Sequence, residues 1–442
     1  MRIAVDAREL LRPDRTGVER MLYEFIAHID DIDGAARPAA GAPAIEWLLL
    51  FDRNAPLVEE LARRHTVRVI APRHPRLQSL FDAWTAWQVG PALRAAGIDL
   101  FYSPNTKFPL FGGVPAVITV HGVEWHFHPQ GYRRVERMRQ RLWFELGMRR
   151  AAGIVTFAQH TRVDIDRVGS RRAGAANATH AACAARAARK SPAAPQAPRD
   201  DTSHPWRTPP VHVTGEGVAG VFRRLLPGEL DTGVPARLGI DGPYILAVSS
   251  LVPRKNVAGL LHALALLAAE GLPHRLALVG KSGWRAGALH DLTRRLGLGS
   301  RVTFTGYIDD ATLVQLYNQA ALFAYPSFYE GFGLPLLEAM ACGAPVVTAA
   351  ASATAEVAGD AAVLCDPADP RSIARALMRV LSDPLLAATL RERGAVRLAR
   401  YDWARMTRSI AGFLADRAGL PDMSTPGYAR PATSAAFPTD PA

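Results

Sequence analysis

Residues Tyr325–Val347 read YPSFYEGFGLPLLEAMACGAPVV, and their punctuation decides the fold. The run Leu322–Tyr325 just before the turn is short, apolar and aromatic, as a buried strand requires. Gly331 and Gly333 mark a turn, and Pro335 sits in a helix's first turn, where its missing N–H costs nothing. Apolar residues fill Pro335–Ala341, Gly343 stops the helix as a C-cap, and Pro345–Thr348 resumes as a strand. The spacing therefore predicts a strand–loop–helix–strand unit of an open parallel sheet. Such a loop presents free backbone N–H groups and a helix N-terminus to an anion. Glu330 falls in the loop and Glu338 about one turn inside the helix, so they reach different parts of one elongated ligand. By spacing alone, a capping carboxylate and a solvated one explain the pair equally well. Both side chains are expected to face a solvated cleft and to contribute little packing.

Outward from this unit, the same alternation continues in both directions. In the C-terminal half, strands are expected at Tyr244–Ser249, Arg275–Val279, Val302–Thr305 and Ala362–Cys365. Helical patterns lie at Val257–Ala269, Ala286–Leu296, Asp310–Gln319 and Pro370–Ser382, with a last helix over about Trp403–Arg417. The N-terminal half repeats the theme with strands at Arg2–Asp6, Glu46–Phe51, Val67–Ile70, Leu100–Tyr102, Ala116–Val120 and Gly153–Phe157. Helices are expected at Gly17–Ile29, Pro91–Ala96 and Arg133–Arg150. Two α/β, Rossmann-like, doubly wound domains facing a central cleft would hold a ligand at the strand carboxyl ends. The expected boundaries are 1–225 for the first domain and 240–397 for the second. Residues 398–420 form a helix expected to return to the first domain, and 421–442 a flexible tail. Ser170–Pro209 interrupts the first domain with 13 Ala, 5 Pro and no Val, Ile, Leu or Phe, and reads as a mobile insertion.

Composition narrows the function classes. The 442 residues are 49% hydrophobic and 21% charged, which excludes a collagen-like or largely disordered chain. Cys183, Cys342 and Cys365 are odd in number and scattered, which suits a reducing compartment and neither a disulfide framework nor a cysteine zinc site. The N-terminus MRIAVDAREL lacks a signal peptide's apolar core. Val257–Ala269 is broken by His262 and falls short of the roughly 20 residues that span a bilayer. A cytoplasmic protein is expected, soluble or peripheral on the inner face of the cytoplasmic membrane. The net charge of +11 comes from 52 cations of which four are lysines, a coding bias rather than a polyanion site. No basic motif or aromatic platform marks a nucleic-acid partner. Arg133–Arg150 is the better-placed basic feature, with seven Arg and two Glu. Its apolar positions Val135, Met138, Leu142, Phe144 and Leu146 roughly follow helical spacing. It reads either as a helix resting on anionic lipid or as an ordinary surface helix with one face packed.

The segment E-G-F-G-L-P-L-L-E-A-M-A-C-G resembles the EX7E signature of retaining GT-B glycosyltransferases of family 4. RTGVERMLYEF resembles that family's first βα turn, TVHGVEWHFHP its strand-end histidine, and ILAVSSLVPRKNVAGLLHAL the opening of its donor domain. RLALVGKSGW, RVTFTGYIDDATLVQLYNQAALFAYPS, SATAEVAGDAAVLCDPADP and YDWARMT follow in the expected order, so the resemblance spans roughly 1–168 and 211–417. It implies that Glu330 holds donor-sugar hydroxyls and Glu338 the nucleotide ribose. It implies that amides around Gly331, Phe332, Gly333 and Leu334 support the sugar and phosphates, while Arg254 and Lys255 neutralise the departing diphosphate. Where family members often read G-R-L, this chain has Ser249-Ser250-Leu251, and the arginine moves to Arg254. Gly17 would let backbone approach the phosphates, and His121 would contact the donor sugar near the reacting carbon. His126 and His128 are assigned to the acceptor groove or surface, since these enzymes generally bind no catalytic metal; no cofactor is expected.

The implied reaction is retaining transfer of a hexose, mannose first, from a nucleotide sugar such as GDP-mannose to a growing, lipid-linked surface glycan. No carboxylate stands out as the nucleophile that glycosidase-type retention requires, which favours front-face attack assisted by the donor's own phosphate. The alternatives are a UDP- or dTDP-sugar with a soluble acceptor, and a non-catalytic nucleotide-sugar-binding scaffold. A nicotinamide dehydrogenase is disfavoured because no strand leads into G-x-G-x-x-G with a suitably spaced acidic residue.

Overall fold

The computed structural model describes residues 1–12, 17–35, 45–73, 82–169, 209–281 and 286–418. The Ala/Pro-rich stretch 170–208 and the tail from 421 lie outside the described residues. Two parallel sheets organise the rest. The first has seven strands in the order β3-β2-β1-β4-β5-β6-β7. These are β1 (Arg2–Asp6), β2 (Glu46–Phe51), β3 (Thr66–Val69), β4 (Leu100–Ser103), β5 (Ala116–Thr119), β6 (Gly153–Thr156) and β7 (Val211–Val213). The second has six, in the order β10-β9-β8-β11-β12-β13. These are β8 (Tyr244–Val248), β9 (Arg275–Val279), β10 (Val302–Gly306), β11 (Leu322–Tyr325), β12 (Val346–Ala349) and β13 (Ala362–Cys365).

Both orders start at an interior strand, run to one edge, and then reverse. Helices consequently cover both faces, and the strands must be apolar on both sides. Every residue of β4, β5, β6, β11 and β12 is buried. The unit read from Tyr325–Val347 forms as expected: β11 pairs in parallel with β12 through Phe323↔Val346, Ala324↔Val347 and Tyr325↔Thr348. The helix Val257–Ala269 is apolar nearly all round and packs Leu260, Leu261, Leu264 and Leu267 into the second domain's core.

The helix Trp403–Arg417 leaves the second domain and packs on the first. Met406, Ile410 and Leu414 share one core with Met21 and Phe25 of the helix Gly17–Ala35. The Phe413 ring stacks on His212 of β7, with centroids 4.8 Å apart. No helix among the described residues is long and apolar enough to cross a membrane. The strand order reverses between β1 and β4 and again between β8 and β11, and ligands of doubly wound sheets bind at such switch points.

Candidate active site

The site starts from the turn after β8. Pro253–Lys255 makes one 3-10 turn, and Asn256 follows with φ 55° as the cap of the helix Val257–Ala269. Its Oδ1 accepts the Gly259 N–H, and its Nδ2 donates to Pro326 O at 3.0 Å and Pro367 O at 2.7 Å. This clamp aims Arg254 and Lys255 at the loop after β11. Lys255 Nζ donates to both Glu330 oxygens, at 2.6 and 2.8 Å, and to the Tyr325 hydroxyl at 2.8 Å. Arg254 Nη1 donates to Glu330 Oε2 at 2.8 Å and to Tyr329 O at 3.1 Å. Burial by itself would raise the Glu330 pKa, but Lys255 and then Arg254 override it and hold the carboxyl at about 2. Burial and Arg254 lower Lys255 to about 8, so it is still protonated at neutral pH.

Neither carboxylate faces open solvent, which corrects the expectation from sequence: Glu330 is 5% exposed and Glu338 is 6%. Each is committed to ion pairs because a buried carboxylate without partners would be costly. Glu338 Oε1 accepts from Arg20 Nη1 at 2.6 Å, and its Oε2 accepts from the Tyr317 hydroxyl at 3.1 Å. Gly333, at φ 109°, caps the helix Leu334–Ala341. At Gly331 a Cβ would lie 1.5 Å from His121 O, so only glycine permits the two domains to approach this closely. Phe332 is buried with its ring edge-on to Tyr401, so the part of the loop available to a ligand is its backbone.

On the facing domain, His121 lies at the carboxyl end of β5. Its Nε2 is 2.8 Å from Pro104 O, and since a carbonyl only accepts, Nε2 carries the proton and Nδ1 offers a lone pair. Burial lowers its pKa, so the ring is neutral. His128 stacks on Phe328 across the cleft, with centroids 5.9 Å apart. Among the described residues, no three His, Cys, Asp or Glu side chains converge as metal ligands. At Gly17 no described atom lies within 4 Å of a Cβ built there.

The closed cleft brings together residues that the sequence reading missed. Tyr329, next to Glu330, inserts its hydroxyl into the first domain, donating to Asp164 Oδ2 at 3.0 Å and accepting the Val123 N–H at 3.3 Å. Thr161 donates to Gly331 O at 2.9 Å, and Glu356 accepts the N–H groups of Gln159 and His160 at the start of helix 159–169. A cavity of about 320 Å³ opens beside Arg254, between Tyr132, Arg133 and Glu136 on one side and Ser250 and Val252 on the other. Tyr329, Val123 and Glu356 lie inside strings that the sequence reading singled out, but nothing in those strings says which residues pair across the cleft, and Thr161 and Asp164 lie in none of them.

Residues 235–397 match the family of glycosyl transferases group 1. The C-terminal domain belongs to that family. The group 1 domain here has curated relatives in Escherichia coli. O-antigen chain mannosyltransferase B is 39% identical over 165 residues, 37% of this chain and 43% of that protein. Serotype-specific mannosyltransferase WbdA is 35% identical over 182 residues, 40% of this chain and 22% of that protein. The chain thus matches less than half the length of either. Two solved structures share the fold across nearly the whole chain. Anabaena HepE, crystallised with UDP and glucose, has a TM-score of 0.65 at 20% identity and covers 94% of this chain and 100% of its own. WaaG, a glycosyltransferase involved in lipopolysaccharide biosynthesis, has a TM-score of 0.62 at 16% identity and covers 94% and 99%. The architecture is GT-B, with the group 1 domain as its second half.

Proposed function

We propose that this protein is a retaining glycosyltransferase that moves mannose from GDP-mannose to a growing, lipid-linked surface glycan. The observation that carries the reading is the Arg254–Lys255–Glu330 cluster, a buried carboxylate held by two half-buried cations at the carboxyl ends of β8 and β11, facing His121 across the cleft. Arg254 and Lys255 offer cationic charge to a diphosphate leaving group, worth most in a site that excludes water. Glu330, held ionised by those cations, is an acceptor for sugar hydroxyls and is not poised to donate a proton. His121 presents a neutral ring with one free lone pair beside the same loop. Glu330 is tied to Lys255 and Arg254, and Glu124, the other carboxylate that acts on both cations, accepts from the Tyr132 hydroxyl, so front-face attack, with the donor's phosphate taking the acceptor's proton, accounts best for retention. No resident metal or other cofactor takes part in the proposed step. The names of the Escherichia coli relatives support mannose and a glycan acceptor.

The acceptor is assigned to the cavity beside Arg254, whose Arg133 and Glu136 wall opens the helix Arg134–Arg150. That helix exposes Val135, Met138 and Leu142 beside Arg134, Arg137 and Arg141, a surface suited to anionic lipid at the cytoplasmic face. The test is a panel of GDP-, UDP- and dTDP-sugars scored by thermal shift and then by donor hydrolysis and transfer, with the product's anomeric configuration read by NMR. GDP-mannose is expected to give the largest shift and slow hydrolysis. A panel without binding or hydrolysis would favour the non-catalytic scaffold, and an inverted product would remove the front-face mechanism.

A further inference from the structure

Arg20 belongs to the first domain, one turn inside the helix Gly17–Ala35, yet its guanidinium is spent on the second. Nη1 donates to Glu338 Oε1 at 2.6 Å, and Nη2 donates to Asp310 Oδ1 and Oδ2 at 2.9 and 2.7 Å. The guanidinium also lies over the Phe222 ring, 5.2 Å from its centroid, and the side chain is 14% exposed. Glu338 receives one hydrogen bond on each oxygen, from Arg20 and from Tyr317. A carboxylate accepts about four, so each oxygen keeps one position free, which is what the two neighbouring hydroxyls of a ribose require. From this we infer that Arg20 is a positioning residue for nucleotide binding: reaching across the cleft, it holds Glu338 ready for a ribose diol. Nucleotide affinity thereby depends on the first domain being closed over the second. The inference rests on the reading that Glu338 is the ribose ligand, and it adds an N-domain residue to the ribose end of the site.

The experiment is calorimetric binding of GDP and UDP, each beside its 2′,3′-dideoxy form, to the full chain. Wild type is expected to prefer the ribose form of the nucleotide it binds. Losing a charge-assisted bond corresponds to about one to two decades in affinity, so Arg20→Leu should bind the ribose form 10- to 100-fold more weakly and lose the preference. Arg20→Lys, which keeps a cation beside Glu338 and guards against a folding defect, should restore part of it. Asp310→Asn breaks the other half of the bridge and should keep the preference intact. In steady state, Arg20→Leu should raise the donor KM with little change in kcat. An Arg20→Leu variant that still discriminates, or an Asp310→Asn variant that loses discrimination equally, overturns the inference alone. A wild type that binds nucleotide but ignores the diol overturns the ribose role of Glu338 and the inference with it.

Discussion

Glu330 shows how one residue's surroundings change what its mutation means. As a carboxylate on a solvated cleft it would be removable at no cost to folding; as the shared partner of Lys255 and Arg254 it is a buried anion between two half-buried cations. Its pKa of about 2 lies below the ordinary 4.5, so the native state favours the ionised form. Because the folded pKa is the lower one, this stabilisation is complete above about pH 4.5 and is lost as pH falls toward 2. The pairing with Lys255 and Arg254 thus contributes stability at neutral pH that acid removes. Glu330→Gln should therefore be less stable than wild type at pH 7, and urea titrations of the two should converge between pH 4.5 and 2. The same change should depress saturated turnover by about one to two decades, since one charge-assisted hydrogen bond to the sugar is lost. A variant as stable as wild type at pH 7 would show that the ion pairs do not persist in solution.

At the scale of elements, the helix Arg134–Arg150 formed where its pattern predicted, but of its expected apolar positions only Phe144 and Leu146 pack. Trp143, Phe144 and Gly147 are buried, whereas Val135 and Met138 are 63% and 66% exposed and Leu142 is 39%. Gly147 decides this: a Cβ there would lie 2.4 Å from Ile118 Cδ1, so the helix lies closest to β5 at its C-terminal end. The apolar residues of the N-terminal half are left in the same band as the arginines. Each basic residue near an anionic bilayer is worth about 1 kcal/mol, so Arg134, Arg137 and Arg141 changed together to Glu should weaken vesicle binding by at least two decades. Sedimentation with anionic and neutral vesicles checks this. Binding should require anionic lipid, weaken with salt and fall when Met138→Ser removes apolar contact. Equal binding to neutral vesicles would remove the electrostatic part of the argument.

For the whole molecule, the property to explain is closure. Tyr329 joins the first domain through Asp164 and the Val123 N–H while its neighbour Glu330 holds the cations of the second. The Phe127 ring stacks on Tyr329 at 5.8 Å and seals the contact. One loop thus ties the two domains together and holds the cation cluster, an arrangement suited to a site that excludes water. Tyr329→Phe keeps the ring and removes the two hydrogen bonds. Its transfer rate should fall about fivefold, by the roughly 1 kcal/mol of an ordinary hydrogen bond, while the ratio of donor hydrolysis to transfer rises. Parallel assays of hexose release and glycan product measure that ratio. An unchanged ratio would mean that the cleft closes without this contact.

Much of the fold was legible because it is local. Short apolar runs, Gly331 and Gly333 before Pro335, and Gly343 after the helix state their own conformations, and Asn256 beside Arg254 and Lys255 states a capped turn. The helices Ser352–Ala358 and Pro384–Leu398 were not read, although Asp383 caps the second as a sequence signal should; the first is only two turns of small residues, and in the second the exposed Leu385 and Val396 blur the apolar stripe. The chemistry of Glu330, Lys255 and Arg254 was visible as a set of motif positions, since each follows a strand of the same domain. What the tertiary structure alone decided is which groups meet across the cleft. Arg20 and Glu338 are 318 residues apart and Tyr329 and Asp164 are 165 apart. Such pairs leave no spacing to read, because they depend on how two separately folded sheets are docked, and docking is set by side-chain packing and charge rather than by chain periodicity.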